Sequence, residues 1–148
     1  MKPEIRRFAG PYHFLSNFFR TPEPISYEGL DYPTSEHAFQ AAKSLSKSAR
    51  RGIRDAVTPG QAKKLGQCVK LRDDWMQIRV QVMQAILRVK FSQPELRKKL
   101  LATGDALLVE GNRHNDVFWG YVEGRGGANN LGKILMMIRS ELRAASGP

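Results

Sequence analysis

The stretch Tyr32-Pro33-Thr34-Ser35-Glu36-His37-Ala38-Phe39-Gln40-Ala41-Ala42-Lys43 marks the change from an extended to a helical chain. Thr34 or Ser35 can cap the helix that follows, because a short side chain with an oxygen accepts hydrogen bonds from the first free backbone N–H groups. We expect this helix to run to about Ser48. Helix signals dominate from here onward, which indicates a mainly helical fold.

An acid, an amide and a cation lie on one face of this predicted helix, because Glu36, Gln40 and Lys43 are spaced i, i+4 and i+7. The helix dipole favours an ionised Glu36 in the first turn, and an ionised carboxylate can activate water or stabilise an oxocarbenium-like centre. Lys43 can bind phosphate, hold Glu36 ionised, or act as an amine nucleophile if its pKa is lowered. From the residues alone, a capping role for Glu36 and a solvated Lys43 form an open alternative.

The N-terminal residues 1–34 are rich in Pro, Gly and aromatic side chains. Residues 5–8 and 25–27 look like short strands, and residues 27–32 predict a hairpin with Glu28-Gly29 at its turn. The sequence therefore predicts a small antiparallel β element near the N-terminus, ahead of the helices.

Helical periodicity recurs along the rest of the chain, and no internal repeat or interdomain linker interrupts it. The remaining predicted elements are helices at about 59–66, 73–91, 92–104 and 130–144, a short buried strand at 107–109 and an irregular loop at 111–128. A loop of that length in a small domain is often functional. We predict a mainly α fold in which residues 1–148 form a single compact helical domain.

Two polar segments flank the first helix in the sequence. Ser16 and Asn17 lie between large aromatic residues, which suits a pocket where a ring stacks and a polar side chain holds a sugar or phosphate. The alternative is a buried turn in which Asn17 satisfies backbone groups. Arg72, together with Lys70, can face phosphate while Trp75 stacks on a base or ribose. The alternative there is a Trp75 anchored in the core.

The loop around residues 110–120 combines polar groups with Phe118 and Trp119. Asp116 can supply a second carboxylate to the site. His114 is either a proton carrier or an exposed loop residue. The loop is therefore a second candidate site segment.

Two further patterns bear on ligands. The glycine-rich residues 124–132, ahead of the last helix, resemble an anion-binding helix N-terminus. No spacing of Cys, His, Asp and Glu corresponds to a metal site. We therefore predict no metal and no other cofactor.

The composition favours anionic partners and a reducing compartment. The chain has 148 residues and a net charge of +10, which favours phosphates on nucleic acid or on a nucleotide, although solubility alone also explains it. No apolar run approaches the roughly 18–20 residues needed to span a bilayer, and we expect that the first residues do not act as a signal peptide, because no apolar stretch follows their charges. Cys68 is the only cysteine, so no internal disulfide can form. We predict a cytoplasmic protein without membrane contact.

Taken together, these segments resemble the YbiA-like family, also called NADAR. The matching pieces run in the family's order over nearly the whole chain: residues 14–18, 32–43, 69–72 with 75, 101–104, 110–112 with 116, 118–120 and 130–132. The family often has an aromatic residue and a glycine just before the aspartate of the fourth segment. His114-Asn115 stand there in this chain, and this departure bears on substrate preference.

The resemblance implies an N-glycosidase, a hydrolase that acts on N-glycosyl bonds. Family members are linked to ribosylamino-pyrimidine intermediates of riboflavin synthesis and to ADP-ribose attached to guanine in nucleic acid. By resemblance, Glu36, Trp75, Asp116 and Trp119 match the family's active-site positions, and Lys43 is a further candidate.

We therefore predict cleavage of an N-ribosyl bond in an ADP-ribosyl or phosphoribosyl substrate, with nucleic acid as an additional partner. The predicted catalytic residues are Glu36, Lys43 and Asp116. The predicted substrate-binding residues are Ser16, Asn17, Gln40, Arg72, Trp75, Phe118 and Trp119. The rival hypothesis is a non-catalytic module that binds ADP-ribose or nucleic acid with the same aromatic and basic side chains.

Overall fold

The computed structural model describes residues 2–147. In chain order, its elements are β1 (Glu4–Ile5), a 3-10 helix (Gly10–Leu15), β2 (Arg20–Tyr27), β3 (Leu30–Thr34), α1 (Ser35–Ala42), α2 (Lys47–Arg54), α3 (Pro59–Gly66), α4 (Trp75–Lys90), α5 (Pro94–Ala102), β4 (Leu107–Leu108) and α6 (Asn130–Ser146). The prediction of a mainly helical fold is confirmed. Within residues 2–147, no helix is both long enough and apolar enough to cross a bilayer.

The chain divides into two compact units. One is Asn17–Lys90, and the other consists of the described parts of Met1–Ser16 and Phe91–Pro148. The first unit contains β2, β3 and α1 to α4, and the second contains the remaining elements. The single domain over residues 1–148 stays a prediction.

The unit Asn17–Lys90 begins with the predicted antiparallel hairpin, in which β2 pairs with β3. Its turn residues Glu28 and Gly29 both have positive φ, as the tight turn requires. β2 starts at Arg20, earlier than predicted, and its register is irregular between Arg20 and Ile25. Two prolines fall within that interval, and a proline has no N–H to donate to the ladder.

Two helices replace the one that was predicted from Thr34 to about Ser48. α1 ends at Ala42, and α2 starts at Lys47. The Ser46 side chain caps the second helix by accepting a hydrogen bond from the Ala49 N–H, at 3.2 Å. The prediction of a continuous helix was wrong, because a serine just outside a helix competes for its backbone donors.

α1 is the centre of this unit. All eight of its residues are buried, and it packs against α2, α3, α4 and both strands of the hairpin. A helix buried on every side leaves no solvent-exposed face for its polar residues. Each of its polar side chains must therefore find a partner inside the protein.

The second unit pairs β1 with β4 in parallel, an arrangement that was not predicted. α6 packs against α5 and β4. The apolar residues Leu131, Ile134, Leu135 and Ile138 of α6 are buried, and Leu142, which continues the same helical spacing, is half-buried. Between β4 and α6 the chain is irregular, as predicted, with isolated bridges at Gly111–Tyr121 and Val122–Gly126.

Candidate active site

The N-terminal end of α1 is fixed by Thr34 and Asn17. The Thr34 side chain accepts a hydrogen bond from the His37 N–H at 3.1 Å, so Thr34 is the N-cap and Glu36 occupies the second helical position. The Asn17 carbonyl accepts from the Glu36 N–H at 3.0 Å, and the Asn17 side-chain oxygen accepts from the Ser35 hydroxyl at 2.8 Å. These bonds place Glu36 on a firmly held first turn.

His37 is a structural residue of the same turn. Its side chain is fully buried, its Nε2–H donates to the Ala56 carbonyl at 3.0 Å, and the Thr34 hydroxyl lies 2.7 Å from Nδ1. Burial lowers the pKa of His37, against a smaller opposing contribution from the Ala56 hydrogen bond. These contacts tie α1 to the chain after α2.

Glu36 and Gln40 form a buried pair on one face of α1, as their spacing predicted. Gln40 Nε2 donates to Glu36 Oε2 at 2.6 Å, and the two residues are 4% and 8% exposed. The other amide atom, Gln40 Oε1, has no hydrogen-bond partner among the described residues. It points at Gly66, where an added Cβ would lie only 2.0 Å away. Gly66 is therefore what makes room for the Gln40 side chain.

Lys43 follows at the C-terminal end of α1 and is half-buried. Its ammonium group lies 6.0 Å from the centre of the Phe39 ring. Burial lowers the pKa of Lys43; the negative charge of Glu36 opposes that shift, and the positive charge of Lys63 adds to it. An amine with a lowered pKa is a better nucleophile near neutral pH.

Trp75 and Arg72 are held against the same end of α1. The Arg72 N–H donates to the Lys43 carbonyl at 2.9 Å, and the Arg72 guanidinium makes a bidentate ion pair with Asp74 at 2.7 and 3.3 Å. Trp75 is only 4% exposed, and the centre of its ring lies 5.1 Å from the centre of the Phe39 ring. These contacts correspond to the core alternative for Trp75, and they pair two nitrogen atoms of the Arg72 guanidinium with Asp74.

In the other unit, Asp116 organises the loop that carries the two aromatic residues. Its Oδ1 accepts from the Phe118 N–H at 3.2 Å and from the Trp119 N–H at 2.9 Å. Asp116 is half-buried, and its second oxygen accepts no hydrogen bond within the described part of the chain. One carboxylate oxygen therefore caps the turn, and the other is available to a ligand.

Asn112 and the aromatic pair complete this loop. The Asn112 side chain accepts from the Asp116 N–H at 3.0 Å and donates to the Asp116 carbonyl at 2.9 Å. The Phe118 and Trp119 rings meet edge to face with centres 4.8 Å apart, and both are half-buried. Ser16 also belongs to this unit, half-buried directly after the 3-10 helix.

The N-terminus of α6 does not form the anion site that the glycine-rich residues 124–132 suggested. The Asn130 and Leu131 N–H groups donate to the carbonyls of Phe118 and Trp119, at 3.2 and 3.0 Å. The preceding loop therefore already satisfies the first two N–H donors of the helix. The helix terminus instead fixes the backbone of the aromatic pair.

The structure thus gathers Glu36, Gln40, Lys43, Trp75, Asn17 and Arg72 around α1, and it gathers Asp116, Phe118 and Trp119 in one loop. Sequence reasoning missed Phe39, Gly66 and Asn112. Phe39 lies in the quoted stretch, one residue before Gln40, and only its ring contacts reveal its role. Gly66 gave only a helix-end signal.

The chain matches the model of a known family. The NADAR domain matches residues 6–143 of the chain. The match covers almost the whole sequence, and the chain therefore belongs to the NADAR domain family.

Relatives with curated names sharpen this assignment. The chain is 42% identical over 134 residues to the N-glycosidase YbiA of Escherichia coli (strain K12), a match that covers 88% of this chain and 82% of YbiA. It is 42% identical over 133 residues to the riboflavin biosynthesis protein VVA0006 of Vibrio vulnificus, covering 88% of this chain and 35% of that protein. The NMR structure of E. coli YbiA superposes with a TM-score of 0.84 at 40% identity, covering 99% of this chain and 89% of that one. The prediction of an enzyme of the N-glycosidase class is confirmed at that level.

Proposed function

We propose that this chain hydrolyses the bond between a ribose C1′ and a base nitrogen, with Glu36 as the central carboxylate. The observation that carries the proposal is the Glu36–Gln40 pair, a buried carboxylate whose orientation is set by a 2.6 Å hydrogen bond. A buried charge is unfavourable for stability unless it is paired. Its placement on a fully buried helix therefore supports a functional role.

Departure of the base leaves positive charge at C1′, and a nearby carboxylate stabilises that charge or orients the attacking water. Glu36 fulfils this role. Asp116 binds ribose hydroxyls through its available oxygen, and Trp119 stacks on the leaving base with Phe118 beside it.

Lys43 offers a covalent variant of the same reaction. The neutral amine forms a bond to C1′ as the C1′–N bond breaks, and the base leaves with the electron pair and takes up a proton. The C1′–O4′ bond then breaks to give a protonated Schiff base, and O4′ takes up the proton that the amine loses. Water adds at C1′, and the C1′–N bond to Lys43 breaks to release ribose and the free amine. The lowered pKa of Lys43 supports this route.

Two substrates fit this chemistry. ADP-ribose on a guanine base of nucleic acid is favoured by the net charge of +10, which attracts a polyanion. A phosphoribosylamino-pyrimidine intermediate of riboflavin synthesis is favoured by the name of the Vibrio relative. Both contain ribose bonded to nitrogen and a phosphate nearby.

The test is incubation with ADP-ribosylated guanosine DNA and, separately, with the riboflavin intermediates, followed by mass spectrometry of the products. We expect a free base or amine and a ribosyl product from one of the two. Cleavage of the DNA substrate should fall steeply as salt rises, because released counterions drive polyanion binding. A flat salt response argues for the small substrate. If calorimetry shows that ADP-ribose binds and mass spectrometry shows that neither substrate is cleaved, the rival hypothesis of a non-catalytic module is supported.

A further inference from the structure

A cavity of about 240 Å³ lies in the same unit as Asp116. Its walls come from the chain after β1 and from residues 111–123, and they carry Arg6, Arg7 and Arg113. Guanidinium groups bind phosphate oxygens through paired N–H donors. Three arginines around one cavity therefore indicate a site for a phosphoryl group.

The charge in this cavity is not neutralised by its own walls. Glu123 is the one carboxylate in the lining, and Glu4 pairs with Arg6 at 3.2 Å from outside it. Arg7 and Arg113 are exposed and form no ion pair within the described residues. Two arginines are thus free to meet an anion.

The cavity walls are fixed by backbone contacts. The Gly111 N–H donates to the Arg6 carbonyl at 3.1 Å, and an added Cβ at position 111 would lie 2.2 Å from that oxygen. The Asn112 N–H donates to the Tyr121 carbonyl at 3.0 Å, and the Tyr121 N–H donates to the Glu110 carbonyl at 2.9 Å. The Arg6 guanidinium also lies over the Tyr121 ring, 5.2 Å from its centre. Walls held in this way are ordered before a ligand arrives, which improves affinity.

Asn112 connects the cavity to the Asp116 loop. It lines the cavity, and its side chain also bonds both the N–H and the carbonyl of Asp116. We infer that the cavity binds a phosphoryl group of the substrate whose ribose Asp116 holds. The identification of that ligand as the substrate rests on the proposed function, whereas phosphoryl binding itself does not. The cavity volume lies below the roughly 300–1,000 Å³ of pockets for drug-sized ligands, so it suits part of a nucleotide.

The test is a binding titration at constant ionic strength with three probes: ADP-ribose, an unmodified single-stranded oligonucleotide, and inorganic phosphate. The test variant is Arg7→Gln with Arg113→Gln. The matched control is Arg51→Gln with Lys64→Gln, which removes the same charge from exposed positions in α2 and α3. Amide NMR shifts of Gly111 and Asn112 locate the ligand in the wild-type protein.

We expect the test variant to bind at least one probe about tenfold more weakly or worse, because a hydrogen bond to a charged group contributes about 1.5–3 kcal/mol. The control should lose less than about twofold. Loss with ADP-ribose alone identifies the diphosphate as the ligand, and equal loss with the oligonucleotide identifies the strand backbone. Equal weakening in test and control, or unmoved Gly111 and Asn112 amides, would overturn the inference even if the double variant is unstable.

Failure of the inference can be told apart from failure of the proposed function. Turnover by the double variant with a normal KM contradicts the phosphoryl site and leaves the glycosidase intact. Arginine-dependent ADP-ribose binding without hydrolysis of either substrate contradicts the glycosidase and leaves the phosphoryl site intact. A raised KM with an unchanged kcat supports both.

Discussion

Gln40 donates a short hydrogen bond of 2.6 Å from its side-chain amide to Glu36, one helical turn earlier, and both side chains are buried. An ionised carboxylate has no hydrogen to donate and can only accept hydrogen bonds. The NH₂ group of Gln40 therefore faces an ionised Glu36, and the side-chain oxygen of Gln40 faces the opposite way. That oxygen points to Gly66 in α3. The orientation of the candidate catalytic carboxylate therefore depends on a glycine thirty positions away in the sequence.

Replacing Glu36 with Gln should nearly abolish turnover and leave the fold intact. The carbonyl of the new amide can still accept from Gln40, but the negative charge that stabilises C1′ is lost. We expect kcat to fall by about two to four orders of magnitude, with a small change in Tm. The matched control is Glu95→Gln, an exposed glutamate in the first turn of α5, which should be neutral. Wild-type turnover by Glu36→Gln at saturating substrate would contradict the catalytic role of Glu36.

Replacing Gly66 with Ala should impair catalysis through Gln40. The new Cβ would lie 2.0 Å from Oε1 and 2.8 Å from Cδ of Gln40, so that side chain must move and release Glu36. We expect kcat to fall by about 10²-fold, as a misplaced catalytic group typically causes, and the free energy of unfolding to fall by about 1–3 kcal/mol.

The control for this prediction is Gly52→Ala. Gly52 lies inside α2 and has open space around its Cα, so the alanine should be neutral or stabilise the helix by about 1 kcal/mol. Both variants are compared by urea unfolding and steady-state kinetics. An unchanged kcat in Gly66→Ala, with Gln40 shown by NMR to have moved, contradicts the positioning role of Gln40.

The sequence predicted the face of α1 and not its surroundings, for a physical reason. Helical periodicity alone aligns Glu36, Gln40 and Lys43, so their spacing was sufficient. The role of Gly66 arises from the approach of α3 to α1, and no local pattern encodes such a contact. The same holds for β1 and β4, whose parallel pairing joins segments about a hundred residues apart.

The loop around Asp116 also combines a feature that the local sequence predicts with contacts that only the folded chain creates. Its density of polar and aromatic residues predicted a functional segment, but the donors of Phe118 and Trp119 that Asp116 satisfies could be found only from the folded backbone. The glycine-rich segment before α6 misled for a related reason. Helix donors are available to an anion only when no carbonyl reaches them first.

Substrate should be trapped on Lys43 by borohydride if the covalent route operates. Reduction of the Schiff base should add a ribosyl mass to the peptide that contains Lys43, and Lys43→Arg should abolish both the adduct and turnover. Lys63→Arg, which keeps its charge, should retain both. Normal turnover by Lys43→Arg without an adduct would leave Lys43 with a binding role only.

The pH dependence of this step offers a second check. Turnover should rise with pH as Lys43 loses its proton, because only the neutral amine is nucleophilic. The positive charge of Lys63 helps to lower the pKa of Lys43, so Lys63→Gln should raise that pKa and move the rise in the pH–rate profile to higher pH. Lys64 is an exposed lysine next to Lys63 in the sequence, so Lys64→Gln removes the same charge nearby and serves as the control. An unmoved profile in Lys63→Gln is the contrary outcome.

Stability should decline under mild acid because of His37. Its pKa is lowered in the folded protein by burial, so the unfolded chain binds the proton first as pH falls through about 6.5. The free energy of unfolding should therefore decrease from about pH 7 downward until the folded-state pKa is passed. Urea unfolding across this range should show a weaker pH dependence in His37→Gln and an unchanged one in His114→Gln, where the histidine is exposed. Equal slopes in all three proteins would remove His37 as the cause.

Asp116 allows its two roles to be separated by two substitutions. Asn retains one oxygen that can accept from Phe118 and Trp119, so Asp116→Asn should keep the turn and the Tm. Ala removes the cap, and Asp116→Ala should lose about 0.5–2 kcal/mol of unfolding free energy, as other helix and turn caps do. If the second oxygen binds a ribose hydroxyl, both variants should lose about tenfold or more in kcat/KM, since a charge-assisted hydrogen bond is lost in each. Asp73→Asn, an exposed aspartate before α4, is the control for the charge change. If Asp116→Asn has normal kcat/KM and only Asp116→Ala is impaired, then the carboxylate is a structural cap, and the ribose must be held by other groups.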